Sequence, residues 1–343
     1  MSENSLNGRF EGLDLLKVIA AIFITNSHFQ PLYEDVNVGL ATFGVHGNAL
    51  FFFVSGFLLM MGFERHNNMN FIDWYKARIR RLWPSVFIWV IVAAAFWGQS
   101  LSVGKLVWAD GYWFLQSIAV NYILFYFLLK VLSEYLLSIT GGGSKNIIQI
   151  IVFASSFIVS VAYFFYMPMA EGSPFHTDFH FVCHFSIMVM GAMIYSNKDK
   201  MECNRIGKDL VGFIFSFCLY FVLLAVGKGR TDVLYYVQIL ALIPLHLFIY
   251  YAYKVASYKW TASLFKSKYI GGVLNIVANL TLEIYVVQFV IITNKWNALF
   301  PLNMLIIFSL ICFAAYSLKV MTSLFLAVML KESLQWRSLL TFR

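Results

Sequence analysis

The chain has 343 residues, 60% of them hydrophobic and 12% charged, with a formal net charge of +8 and a mean hydropathy of +0.74. A water-soluble fold of this length keeps most of its surface wettable, so this composition excludes one and indicates an exterior covered by lipid. The basic residues sit between apolar runs rather than in one patch, which sets nucleic acid aside and makes the lipid bilayer the expected partner.

Aromatic residues make up 18% of the chain, with Trp and Tyr near segment ends, as interfacial belts require. The four cysteines (Cys183, Cys203, Cys218 and Cys312) show no CxxC spacing and read as small core hydrophobes. No cleavable signal is evident, so the first apolar run is expected to stay as a span.

Runs long enough to cross a bilayer, roughly 17–25 residues, occur near 12–32, 46–64, 82–98, 113–138, 146–167, 180–196, 209–227, 231–253, 272–294 and 302–330. They are continuous rather than alternating, which excludes a β-barrel. The expected fold class is all-α, a polytopic membrane protein with about ten transmembrane helices. It reads as a single transmembrane domain over 1–343, with "TGGGS" (Thr140 to Ser144) as a turn inside it.

Orientation follows from the connecting segments. With the N-terminus inside, the outer segments hold four basic residues, Lys105, Lys228, Arg230 and Lys295, and the spans hold Lys17, Lys130 and Lys319. The remaining 18 of the 25 lysines and arginines lie inside. That bias places both termini, 1–11 and 331–343, in the cytoplasm of a multi-pass cell-membrane protein.

An ionisable side chain at the centre of a span costs about 2.5–3.5 kcal/mol on insertion scales, so each one calls for an explanation. In the first span, Asp14 and Lys17 are three residues apart and can share a helical face. Lys17 and His28 are eleven apart, close to three turns and about 16 Å of axial rise. Ala21 and Thr25 complete the stripe. Two readings fit: a functional line from Lys17 inside to His28 outside, or snorkelling interfacial charges with an outer-rim histidine.

Before the third span, "YKARIRRLWP" (Tyr75 to Pro84) sets Arg78 and Arg81 at i and i+3. Arginine forks suit phosphate oxygens, and plain positive-inside anchoring is the alternative. Trp83 and Pro84 are expected at the interface and helix start. In "HTDFHFVCH", His176, His180 and His184 stand at i, i+4 and i+8. Without an HExxH motif they read as interfacial or cavity-facing residues, and no metal is expected. In the ninth span, Asn275, Asn279 and Glu283 recur every four residues on one expected face. The Glu283 carboxylate there is either functional or an interhelical hydrogen-bond partner.

"GLDLLKVIAAIFITNSH", "FFFVSGFLLM" (Phe51 to Met60) and "RIRRLWP" (Arg78 to Pro84) together resemble the acyltransferase 3 family of integral-membrane acyltransferases. "IMVMGAMIYSNK" and "LEIYVVQ" extend the resemblance along nearly the whole chain. Lys17 stands where the family usually has arginine, and Gln288 where many members have histidine.

The resemblance implies acyl transfer from cytoplasmic acyl-CoA, commonly acetyl-CoA, to a hydroxyl of a polysaccharide or lipid-linked saccharide acceptor. It implies His28 as general base or acyl carrier and Arg78 and Arg81 as holders of CoA phosphates. Lys17, steadied by Asp14, would neutralise donor charge or the developing oxyanion, with Glu283 as a further catalytic candidate. Ser55, Asn279, Glu34 and His180, with Asp35, Glu171 and Asp178, are candidate acceptor contacts. No SGNH esterase-like domain is expected before Arg343, so a polysaccharide-synthesis machinery is a possible partner. The competing readings are a saccharide transporter or flippase, and an inactive assembly subunit.

Overall fold

The structure is a computed structural model that describes residues 10–65, 69–131, 145–169, 174–176, 178–201 and 203–330. Among these there is no strand, and the chain is a series of helices joined by turns. They are α1 (Glu11–Ser27), α2 (Gly44–Arg65), α3 (Phe71–Trp97), α4 (Trp113–Lys130), α5 (Lys145–Tyr166) and α6 (Phe179–Ser196). There follow α7 (Ile206–Gly227), α8 (Leu242–Ala256) led in by a 3-10 turn, α9 (Lys259–Lys266), α10 (Ile270–Asn279), α11 (Thr281–Ile291) and α12 (Leu302–Leu330).

Eight segments are long and apolar enough to cross a membrane, and α10 with α11 makes a ninth if counted as one bent span. With α1, at 17 residues, every expected span has a helical counterpart, so the chain is an all-α, multi-pass membrane protein. Helices α5 and α7 display Ile151, Ile158 and Phe165, and Val211, Phe215 and Val222, as exposed apolar residues. Lipid tolerates such surfaces because a helix satisfies its own backbone groups.

Three boundaries differ from the expectation. Helix α1 stops at Ser27, and residues Gln30–Tyr33 form a 3-10 turn opened by Pro31, whose ring disfavours helix in the residue before it. Helix α3 begins at Phe71 rather than near residue 82, because Asn70 caps it by accepting the Asp73 N–H at 3.0 Å. Pro84 therefore lies inside the helix and does not start it. The ninth span is not one straight helix but bends by 80° between Asn279 and Thr281. The end of the expected fourth span, 132–138, lies outside the described residues.

The helices form two compact units. One comprises the described residues within Met1–Leu16, Asn48–Asn68 and Asn121–Ser263. In it, α2 and α6 cross backbone to backbone: a Cβ on Gly56 would fall on the Met188 carbonyl oxygen, and one on Gly191 on that of Phe53. Small residues of this kind let membrane helices approach closely. Phe57 then packs edge-on to Tyr195 and tilted against Tyr253. Helices α7 and α8 are tied by Lys254 and Asp209, 2.7 Å apart, with the Tyr258 hydroxyl donating to the same carboxylate at 2.7 Å. Cys183 is buried here as expected of a core hydrophobe, whereas Cys218 is exposed on α7.

The other unit comprises the described residues within Lys17–Gly47, Met69–Val120 and Leu264–Arg343. Its centre is α3, α11 and α12, each packed on the other two. Gly47 at the start of α2 lies against α1, where a Cβ would meet Ile24 and the Ala20 carbonyl.

The α2–α6 crossing is open to test. Gly56→Val should destabilise the protein by about 1–3 kcal/mol or more, since the added carbons have no room. The expected result is a lower melting temperature in detergent, while Gly207→Val, where a Cβ meets nothing within 4 Å, should fold normally. Equal melting temperatures for the two variants would count against the close crossing.

Candidate active site

A carboxylate in lipid needs partners, and the second unit supplies them to Glu283 from two other helices. Glu283 stands in the first turn of α11 and is 1% exposed. Its Oε1 accepts from Ser85 Oγ of α3 and from Lys319 Nζ of α12, each at 3.1 Å. Thr322, one turn beyond Lys319, donates to Ser85 Oγ at 3.3 Å. Ser85 thus passes a hydrogen bond from α12 to the carboxylate. Glu283 Oε2 is buried and has no protein hydrogen-bond partner, while the Lys319 side chain is 41% exposed.

His28 lies at the opposite end of α11. It follows the last turn of α1, its N–H donating to the Thr25 carbonyl at 3.0 Å. Its ring rests edge-to-face on Phe289, with centroids 4.7 Å apart. Phe289 in turn meets Tyr112 at 5.7 Å and Tyr285 at 5.6 Å. Burial pushes the Tyr112 phenol up to about 12, so it stays protonated and donates to the Val286 carbonyl at 3.3 Å. The imidazole is therefore seated on an aromatic wall rather than hanging free. Gln288, beside Phe289, is fully buried, and neither atom of its amide has a protein partner.

Six residues separate Glu283 from Phe289, about 9 Å of axial rise. The carboxylate and the histidine therefore occupy different levels of one unit. On α3, Arg78, Arg81 and Ser85 fall within one 60° sector, by the 3.6-residue period. Arg78 lies about 10 Å along the axis from Ser85, towards the helix start. Its guanidinium stacks 4.2 Å over the Trp74 ring and donates to the Trp74 carbonyl at 3.3 Å. Arg81 is exposed. By helix period Arg78 and Arg81 stand on the sector of α3 that carries Ser85, the partner of Glu283.

The other expected residues fall in both units. Asp14, buried, and Lys17, half-buried, stand one turn apart on α1. Ser55 on α2 and His180 on α6 belong to the first unit. The His180 carbonyl hydrogen-bonds His184 Nδ1, and the His184 ring stacks on Phe52.

Asn279 ends α10 exposed, its amide donating to the Asn275 carbonyl at 2.8 Å. The single face expected for Asn275, Asn279 and Glu283 is therefore broken by the bend. Glu34 is exposed and accepts from Asn294 at 3.4 Å, and Asp35 accepts from Asn297 at 3.2 Å. Asp178 is exposed; Glu171 and the side chain of His176 lie outside the described residues. Among the described residues, no three His, Cys, Asp or Glu side chains gather closely enough to share a metal ion.

Ser85, Lys319 and Thr322 were not legible as site residues. Lys319 carried a signal, being a lone cation in an apolar run, but its partner lies 36 positions away. Hydroxyls within spans carry none.

Residues 10–324 match the model of the acyltransferase 3 family, described as an acyltransferase domain. No curated protein and no solved structure gives a significant match to the chain.

The hydroxyl relay can be measured directly. Ser85→Ala removes a hydrogen bond to a charged group, worth about 1.5–3 kcal/mol. Paired with Glu283→Gln in a double-mutant cycle, it should show a coupling of at least about 0.5 kcal/mol in thermal or denaturant unfolding. Strict additivity would mean that the two side chains do not interact.

Proposed function

Because the chain belongs to the acyltransferase 3 family, we propose that it is an O-acetyltransferase of the cell membrane. Its donor is acetyl-CoA from the cytoplasm, and its acceptor is a hydroxyl of a surface polysaccharide or lipid-linked sugar. The observation that carries this reading is the seat of His28 on Phe289, in the same compact unit as the Arg78 face of α3. The bias of basic residues towards one side supports a cytoplasmic Arg78 and an outward His28.

In the reaction, the acceptor hydroxyl attacks the thioester carbonyl while His28 takes its proton. The carbonyl oxygen becomes an oxyanion, the carbon–sulfur bond breaks, and the thiolate recovers a proton from His28. Alternatively, the imidazole nitrogen itself takes the acyl group from CoA and hands it to the hydroxyl. Lys17 serves the negative charge of donor or oxyanion as a point charge, without the bidentate fork of an arginine. Arg78 and Arg81 hold the phosphates, which suit guanidinium groups. The aromatic wall of Phe289, Tyr112 and Tyr285 limits how far the imidazole can turn.

One observation favours the transport reading. The 80° break beside a buried carboxylate is the kind of discontinuous span that lines the substrate site of many transporters. The assay that separates the two supplies labelled acetyl-CoA and a saccharide acceptor to the purified full-length protein in liposomes. The enzyme reading expects label on the acceptor and its loss, by at least about a hundredfold, in His28→Ala. Arg78→Ala should raise KM for acetyl-CoA more than it lowers kcat. Acceptor movement that needs no CoA and survives His28→Ala would establish transport instead.

A further inference from the structure

The Glu283 cluster is left over once His28 and the arginines have been given their work. About 9 Å of axial rise along α11 separates Glu283 from Phe289, on which the histidine ring rests. The arrangement is also lopsided. One oxygen is fixed by Ser85 and Lys319, while the other is buried with no protein partner. A buried acceptor of this kind calls for a hydrogen-bond donor that the protein does not supply.

We propose that Glu283 Oε2 accepts an amide N–H of the pantetheine arm of acyl-CoA, and that Lys319, Ser85 and Thr322 are positioning residues for that contact. This rests on the reading of acyl-CoA as the donor. Chemistry and length both support it. The arm carries two amide N–H groups between its phosphates and its sulfur, the first of them near its middle. Its extended length is on the order of 15 Å, by the reach of backbone-like bonds.

Arg78 stands about 10 Å before Ser85 on α3, and Phe289 about 9 Å beyond Glu283 on α11. A phosphate held at the arginines and a thioester at His28 would therefore bring the middle of the arm to Glu283. The length of the arginine side chain covers the difference between arm and path. Lys319 balances the carboxylate charge, and Ser85, itself bonded by Thr322, occupies Oε1, which leaves the unpartnered Oε2 for the amide N–H. Glu283 then acts in donor binding rather than in the proton transfer at His28.

The experiment compares equilibrium binding of CoA and of adenosine 3′,5′-bisphosphate, which lacks the arm, to the full-length protein in detergent. Glu283→Gln should weaken CoA about tenfold, the difference between a charged and a neutral acceptor, and leave the bisphosphate unchanged. Lys319→Met should show the same split, and Lys319→Arg should restore CoA binding. Retained bisphosphate affinity serves as the control for folding. Equal weakening of both ligands, or unchanged CoA binding in Glu283→Gln, would overturn the proposal while leaving acyl-CoA as donor intact. A wild-type protein that binds neither ligand would remove the donor reading and this inference with it.

Discussion

The need to give a buried carboxylate partners among apolar helices organises the second unit. Leaving Glu283 unpaired would cost several kcal/mol, because neither lipid nor apolar side chains replace its hydration. Lys319 from α12 and Ser85 from α3 meet it at 3.1 Å each, so two successive helices and a third that lies 198 positions away at Ser85 converge on one oxygen. The geometry narrows where those helices can sit. Sliding any of them by a turn, about 5.4 Å, would break the set. Replacing such a pair by well-packed hydrophobes is often neutral or stabilising, so stability alone does not account for the cluster. A binding role gives the charge a use.

The α10–α11 break belongs to the same constraint. Glu283 enters the cluster from the first turn of α11, where helix N–H groups without intrahelical partners favour negative charge. A straight ninth span would have carried Asn275, Asn279 and Glu283 on one line. The bend instead leaves Asn279 exposed and turns Glu283 towards α3 and α12. Nothing in the local sequence "ANLTLE" explains the bend by a glycine or proline. The bend accompanies the tertiary pairing of Glu283 with α3 and α12.

Which features were readable in the sequence follows from this. Spans were readable because length and apolarity are local properties. The α3 start was misplaced because the segment after Asn70 is polar, and a cap such as Asn70 extends a helix past the edge of its apolar run. Glu283 was recognisable because a carboxylate in a span is costly wherever it points. Ser85 and Thr322 were not, since a serine or threonine in a membrane helix can satisfy itself on its own backbone. Only the fold, which brings residues 237 positions apart to within hydrogen-bond distance, gives those hydroxyls a role. His28 was visible by its spacing from Lys17, but its seat on Phe289 depended on where α11 runs.

The separation of levels matters for how an acyl group could cross between compartments. On the proposed reading, one imidazole suffices for proton exchange with the acceptor, and His28 at the end of α1 supplies it. The donor poses a different problem on the proposed acyl-CoA reading, because its charged end would stay near the cytoplasm while its thioester travels inward. That demands fixed contacts at the phosphates and along the arm rather than further acid–base groups. Arginines on one face of α3, a carboxylate a turn or more deeper and an imidazole against an aromatic wall meet those demands in order.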